Sequence, residues 1–200
     1  MGPFLLGRWT GLLAFPITYS FFYVVSNPAL RLLGVFRYHS PLLKVSLRSR
    51  RYYEVHSGTL FDYVLLFRWK DRGCRATRQI LGLFLEGFLD IANAVERGEI
   101  ARDTHIVGTS YFFSEKSAER LGFRLESAGL RLRLVLLVSY AELALLHSFA
   151  RGRISFPNVL KVRTAVVRGD ELLARRDEMR RILGRLREIE GGPEGQAQAA

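Results

Sequence analysis

From Trp9 to Ser26 the chain runs for 18 residues without a charge, beginning directly after Arg8. A run of that length is near the lower limit for an α-helix crossing the hydrocarbon core of a bilayer, which takes about 20 apolar residues. Phe4, Leu5 and Leu6 extend it if Arg8 snorkels its guanidinium to the headgroups. Pro16 falls inside the run, where membrane helices tolerate proline because neighbouring groups re-satisfy the freed carbonyl. Trp9 at one end and Tyr19 and Tyr23 near the other suit an interfacial aromatic belt. The first reading is a single-pass transmembrane anchor over residues 1–27. Two others stay open. A signal peptide would be cleaved after the small residues Val24-Val25-Ser26, but its positive region amounts to Arg8 and the amino terminus. The run can also be a hydrophobic helix packed within a domain.

The charges that follow set an orientation. Arg31, Arg37, Lys44, Arg48, Arg50 and Arg51 come before the first acidic residue, Glu54. Positive flanks stay on the cytoplasmic side, so the expectation is an outside N-terminus at the cell membrane and a cytoplasmic body. The whole chain has 30 Lys and Arg against 19 Asp and Glu, a net charge of +11, which implies an anionic partner. Beside an anchor, anionic phospholipid headgroups are the simplest such partner, each nearby cation contributing about 1 kcal/mol. Arg37, Lys44, Arg48, Arg50 and Arg51 are the candidate lipid-binding residues. Nucleic acid is a weaker alternative, because the aromatic residues lie in the anchor and the expected strands and do not interleave with the arginines of the last helix. A single cysteine, Cys74, excludes an intramolecular disulfide and an all-cysteine metal site.

Asn27-Pro28 ends the anchor, since proline disfavours a helical residue before it. Residues 28–51 read as a basic juxtamembrane connector, 52–190 as a cytoplasmic domain and 191–200, small and polar, as a disordered tail. Tyr52–His56 and Thr59–Phe67 are rich in aromatic and β-branched residues and are separated by Ser57-Gly58, which predicts a hairpin. Between about Arg75 and Arg97, Ile80, Leu81, Phe84, Leu85, Phe88, Ile91, Ala92 and Val95 recur at three- and four-residue spacing, which predicts a long amphipathic helix ending at Gly98. Thr104–Phe113 reads as a strand, and Ser114 as the cap of a short helix that stops at Gly122. Phe123–Leu125 and Leu130–Leu137 read as strands, the second leading into a buried helix or a second membrane segment over 135–150. Ile154–Val167 looks extended, and Asp170 opens a final helix to about Ile189 whose outer face is basic. The fold class is α+β, a small mixed sheet with two or three packed helices, preceded by an N-terminal transmembrane helix.

The stretch from Lys70 to Phe123 carries the sharpest chemical candidate. A basic loop with Gly73 precedes the long helix, whose first amides can meet a phosphate. A strand, a short helix containing Ala118 and then Leu121-Gly122-Phe123 follow. Over residues 70–123 this order resembles the second half of GNAT-type acyltransferases. That resemblance implies acetyl-CoA or another acyl-CoA as cofactor, with Arg72, Gly73, Cys74 and Arg75 as the pyrophosphate loop.

Glu54 and His56 are two apart in an expected strand, as are Asp103 and His105, so each pair shares a face. Four such groups, if they converged, could act as acid and base or hold a metal; isolated surface pairs fit the same spacing. Glu86 and Asp90, one helical turn apart, are a further paired-carboxylate candidate. The reading is a membrane-anchored protein whose basic domain engages anionic lipid or a partner protein. The alternatives are an acyl-CoA-dependent enzyme of the GNAT type and a nucleic-acid-binding module.

Overall fold

The computed structural model describes residue 33 and residues 36–49, 51–110 and 115–191. The expected anchor over Trp9–Ser26, Arg50 and the tail beyond Gly191 lie outside the described residues. Within them the protein is α+β, a six-stranded mixed sheet with seven helices.

Three antiparallel strands come first: β1 (Arg37–Ser40), β2 (Leu43–Ser49) and β3 (Tyr52–Ser57). The segment expected as a connector is therefore the middle strand of this meander. Its alternation of Leu43 and Val45 with Lys44 and Ser46 is the period-2 pattern of a strand. Leu43 and Val45 are fully buried on the core face.

The strand expected over Thr59–Phe67 is instead a helix, α1 (Leu60–Leu66). A capping box overrides the β-propensity of its side chains. The Asp62 carboxylate accepts the Thr59 N–H at 2.7 Å, and the Thr59 hydroxyl accepts the Asp62 N–H at 3.4 Å. One 3₁₀ turn later comes α2 (Cys74–Glu96), 23 residues long, with Gly98 beyond it at φ +75°. The residues expected on its apolar face, including Ile80, Phe84, Leu85, Phe88, Ile91 and Val95, are buried. Each such side chain contributes about 1.5–3 kcal/mol of burial free energy. Helix α2 crosses β1 and β2 so closely at Gly87 that a Cβ there would lie 2.7 Å from Leu43 Cβ.

The crossover through α1 and α2 brings β4 (His105–Ser110) parallel to β3, a pairing that needs a connection of a dozen residues or more. Next come α3 (Glu115–Arg120), which stops at Gly122 with φ +83°, and β5 (Arg124–Ser127). The segment expected as a strand over Leu130–Leu137 is helical, α4 (Leu130–Val138), and α5 (Tyr140–Arg151) follows it. A continuous apolar run does not distinguish strand from helix by period, and its leucines and arginines are good helix formers. The expected extended segment is in part a 3₁₀ turn (Val159–Lys161) and only then β6 (Arg163–Arg168). The final helix is two helices, α6 (Gly169–Ala174) and α7 (Arg176–Gly191), and it starts at Gly169, where Glu171 accepts the Arg168 N–H at 3.1 Å.

The sheet order is β1-β2-β3-β4-β6-β5, so β6 enters between two strands made before it, antiparallel to both. The main core gathers the buried faces of β2, β3, β4 and β6 with α2, the C-terminal half of α5, α6 and α7. A smaller cluster joins Leu136, Leu143, Val159 and Val162 of α4, α5 and the 3₁₀ turn.

Candidate functional site

Between the sheet, α2 and the α4–α5 pair lies a cavity of about 790 Å³. Its floor is formed by β3, β4 and β6 at Val55, Ile106, Gly108 and Ala165. Phe84 and Phe88 reach it from α2, and Leu132, Leu136, Leu143 and Leu146 close it from α4 and α5. Gly108 keeps the floor low: a Cβ there would meet Val55 only at ordinary contact distances, 3.5 Å and beyond, so a side chain fits and would occupy the space.

One end is polar. Ser57, Thr59 and Glu142 line it, and Glu142 Oε1 accepts the Leu60 N–H at 3.0 Å. Burial pushes the Glu142 carboxyl above its ordinary range, against the Leu60 hydrogen bond and the charge of Lys44. Lys44 has no exposed surface, and burial pulls its ammonium below the usual lysine range while the Asp62 and Glu142 carboxylates oppose that shift. Its Nζ stands 4.5 Å from the centre of the Phe36 ring. The cavity is thus mainly apolar, with Glu54, His56, Thr109, Arg131, Ser139 and Thr164 as further polar residues of its lining. Its size falls in the range of small-molecule sites, about 300–1,000 Å³.

A second polar group ties α2 to the sheet. His39 Nδ1 lies 2.7 Å from Asp90 Oδ2 and its Nε2 lies 3.3 Å from the Tyr53 hydroxyl, the His39 side chain being fully buried. Burial lowers the His39 pKa, and Arg37 pushes the same way; the Asp90 hydrogen bond and charge and the charge of Glu99 work in the opposite direction. A histidine held neutral in the fold leaves the unfolded chain to bind protons first. Stability is therefore complete above the unfolded value of about 6.5 and falls as the pH drops below it toward the lowered folded value. His56, also lowered by burial, acts in the same sense, while the raised Glu142 acts in the opposite one. Subtracting the profile of His39→Gln isolates the first of these. Urea unfolding at pH 7.5 and 5.5 is expected to show a smaller acid loss for the variant than for the wild type. Equal losses would mean that His39 does not carry it.

The residues singled out in the sequence are not brought to one place. Glu54 and His56 share the sheet face opposite Val55, where His56 Nε2 meets Ser46 Oγ at 3.0 Å. His105 lies opposite Tyr52 and stacks on it with ring centres 5.6 Å apart, four residues along β3 from His56 and so about 13 Å away. Asp103 is exposed in the turn before β4 and so lies outside the strand that holds His105. Glu86 pairs with Arg187 at 2.8 Å and Asp90 with His39, so these two carboxylates serve different partners. Among the described residues, no group of three or more His, Cys, Asp and Glu side chains could hold a metal ion.

At the basic loop, Gly73 takes φ +85° and its N–H donates to the Phe149 carbonyl at 3.0 Å, so that amide is already engaged. Arg75 pairs with Asp71 at 3.4 Å, Arg72 is exposed and Cys74 is exposed. The element before this loop is a helix and a 3₁₀ turn. Of the five candidate lipid-binding residues, Arg37 pairs with Glu99 at 3.1 Å and Arg51 is exposed at the β2–β3 turn. Arg48 belongs to β2, and Lys44 is inside.

No protein-family model matches the chain, and neither a curated protein nor a solved structure matches it.

Proposed function

We propose that this domain is a binding module for a small amphipathic molecule, its apolar body in the 790 Å³ cavity and its polar group beside Ser57, Thr59 and Glu142. The observation that carries this is a chamber of this size with aromatic and aliphatic walls and a polar patch that includes Ser57, Thr59 and Glu142. A medium-chain fatty alcohol or acid has that division of chemistry. Pre-formed apolar sites with a few polar groups are the usual form of small-molecule sites.

Displacement of an environment-sensitive dye such as anilinonaphthalene sulfonate by fatty alcohols and acids of graded length tests this. Saturable displacement is expected, with affinity rising as the chain lengthens and then stopping when the cavity is full. Binding to the folded state also raises Tm, by mass action. Gly108→Leu fills the floor and is expected to weaken binding at least tenfold while leaving the unfolding transition cooperative. A dye that does not bind saturably, or binds Gly108→Leu as it binds the wild type, would overturn the proposal.

A further inference from the structure

Apart from Arg131 and Arg133, helix α4 is apolar. Its inner residues Leu132 and Leu136 face the cavity and the smaller core cluster. Its outer residues Leu130, Leu134 and Leu137, spaced four and three apart, share one stripe and are 74%, 53% and 51% exposed. An apolar helix stripe belongs in a protein interior or in lipid, yet here a whole one meets solvent. Phe156 and Leu160, in the segment that leads into the 3₁₀ turn packed on α4, are 68% and 70% exposed.

The part of the chain that carries this stripe is rich in cations. Residues 130–163 contain Arg131, Arg133, Arg151, Arg153, Lys161 and Arg163, and their one acid, Glu142, lines the cavity; Arg163 pairs with Glu115 of α3 at 3.5 Å. Beside α4 a second cavity, about 640 Å³, is lined by Ser127, Arg133, Leu160, Lys161, Val162 and Arg163. The Arg133 Nε–H there is buried and has no hydrogen-bond partner, a donor that an anionic oxygen would satisfy. Exposed leucines next to a cationic recess match the two chemistries of a phospholipid, acyl chain and phosphate, in their order of depth.

We propose that α4 and the Val159–Lys161 turn dock on an anionic phospholipid surface, with the leucine stripe at the acyl boundary and a headgroup phosphate in the recess formed by Arg133 and Lys161. The site is interfacial. Among the described residues no single helix is long and apolar enough to span a bilayer, and α4 and α5, which together have the length and composition, bend by 77° at their junction. This proposal stands apart from the cavity reading, because the outer stripe and the recess are not part of the chamber.

The test uses the full chain with Cys74→Ser and Leu134→Cys, labelled with a polarity-sensitive nitrobenzoxadiazole dye. The dye reports its own surroundings, so contacts made by other parts of the chain do not produce the signal. Vesicles of phosphatidylcholine with phosphatidylserine are expected to raise and blue-shift the emission, while phosphatidylcholine alone and inorganic phosphate are expected to leave it unchanged. Replacing Arg133 and Lys161 with glutamine should weaken the response to anionic vesicles about fivefold for each cation removed. A label that stays water-exposed on anionic vesicles overturns the proposal. So does equal insertion into neutral vesicles, or a label already shielded before vesicles are added, which would mean that another part of the chain or a second copy covers the stripe.

Discussion

Asp62→Ala is expected to cost about 3–5 kcal/mol of stability. The carboxylate accepts from the Thr59 N–H at 2.7 Å and from the Thr59 hydroxyl at 2.9 Å, all of it buried. Removing it orphans those donors and takes from the Lys44 ammonium one of the two carboxylates, Asp62 and Glu142, that support its charge. Urea unfolding measures the loss. The same experiment on Lys44→Met with Asp62→Ala measures the coupling. The double variant is expected to recover part of the deficit, because the buried charge that lost its support is gone. A single-variant loss under about 1 kcal/mol would show that Lys44 does not depend on Asp62.

A second large effect comes from two glycines on one helix. Gly82→Ala and Gly87→Ala are the same chemical change, and in an exposed helix interior each would gain about 1 kcal/mol of helix propensity. At Gly82 a Cβ meets Leu183 Cδ1 at 3.8 Å, an ordinary contact. At Gly87 it would meet Leu43 Cβ at 2.7 Å and Leu43 Cγ and Cδ1 at 3.1 Å, and Leu43 is itself fully buried. The crowded atoms include one beside the β2 backbone, so the helix or the strand must move. The expectation is opposite signs: Gly82→Ala neutral or stabilising by up to about 1 kcal/mol, Gly87→Ala destabilising by about 1–3 kcal/mol. Thermal unfolding of the two variants side by side decides it, and two changes of the same sign would refute the close packing of α2 on β2.

How much of this could be read from the chain varies with the length of the signal. Helix α2 was legible because 23 residues repeat one apolar face and Gly98 stops them. Strand β2 carried its alternation openly in Leu43-Lys44-Val45-Ser46, but a basic segment after an apolar run reads equally as a connector, and only pairing with β1 and β3 decides between them. In α1 a four-residue capping box outweighed nine residues of β-propensity. Such a local signal is easily passed over, since Thr59 and Asp62 also occur in turns. The cavity was not legible at all, because its walls come from three strands and four helices spread between Glu54 and Ala165. In the sequence Glu142 only interrupts an apolar run, and its role depends on the Leu60 amide and on Lys44, both far away along the chain. His39 offered no sequence signal, because its partners Asp90 and Tyr53 meet it only through the fold.

The place of β6 between β4 and β5 imposes an order in time on the making of this protein. Strands β1, β2 and β3, with α1 and α2, leave the ribosome as a complete meander with its covering helix. Strand β4 then finds β3 on one side, but its other edge stays open, and β5 has no neighbour at all until residues 163–168 appear. At about 5–20 residues per second, roughly 3–10 s pass between the end of β4 and the start of β6. An open strand edge is a template for pairing with another chain, so that interval is when a nascent copy of this protein is most exposed to its neighbours.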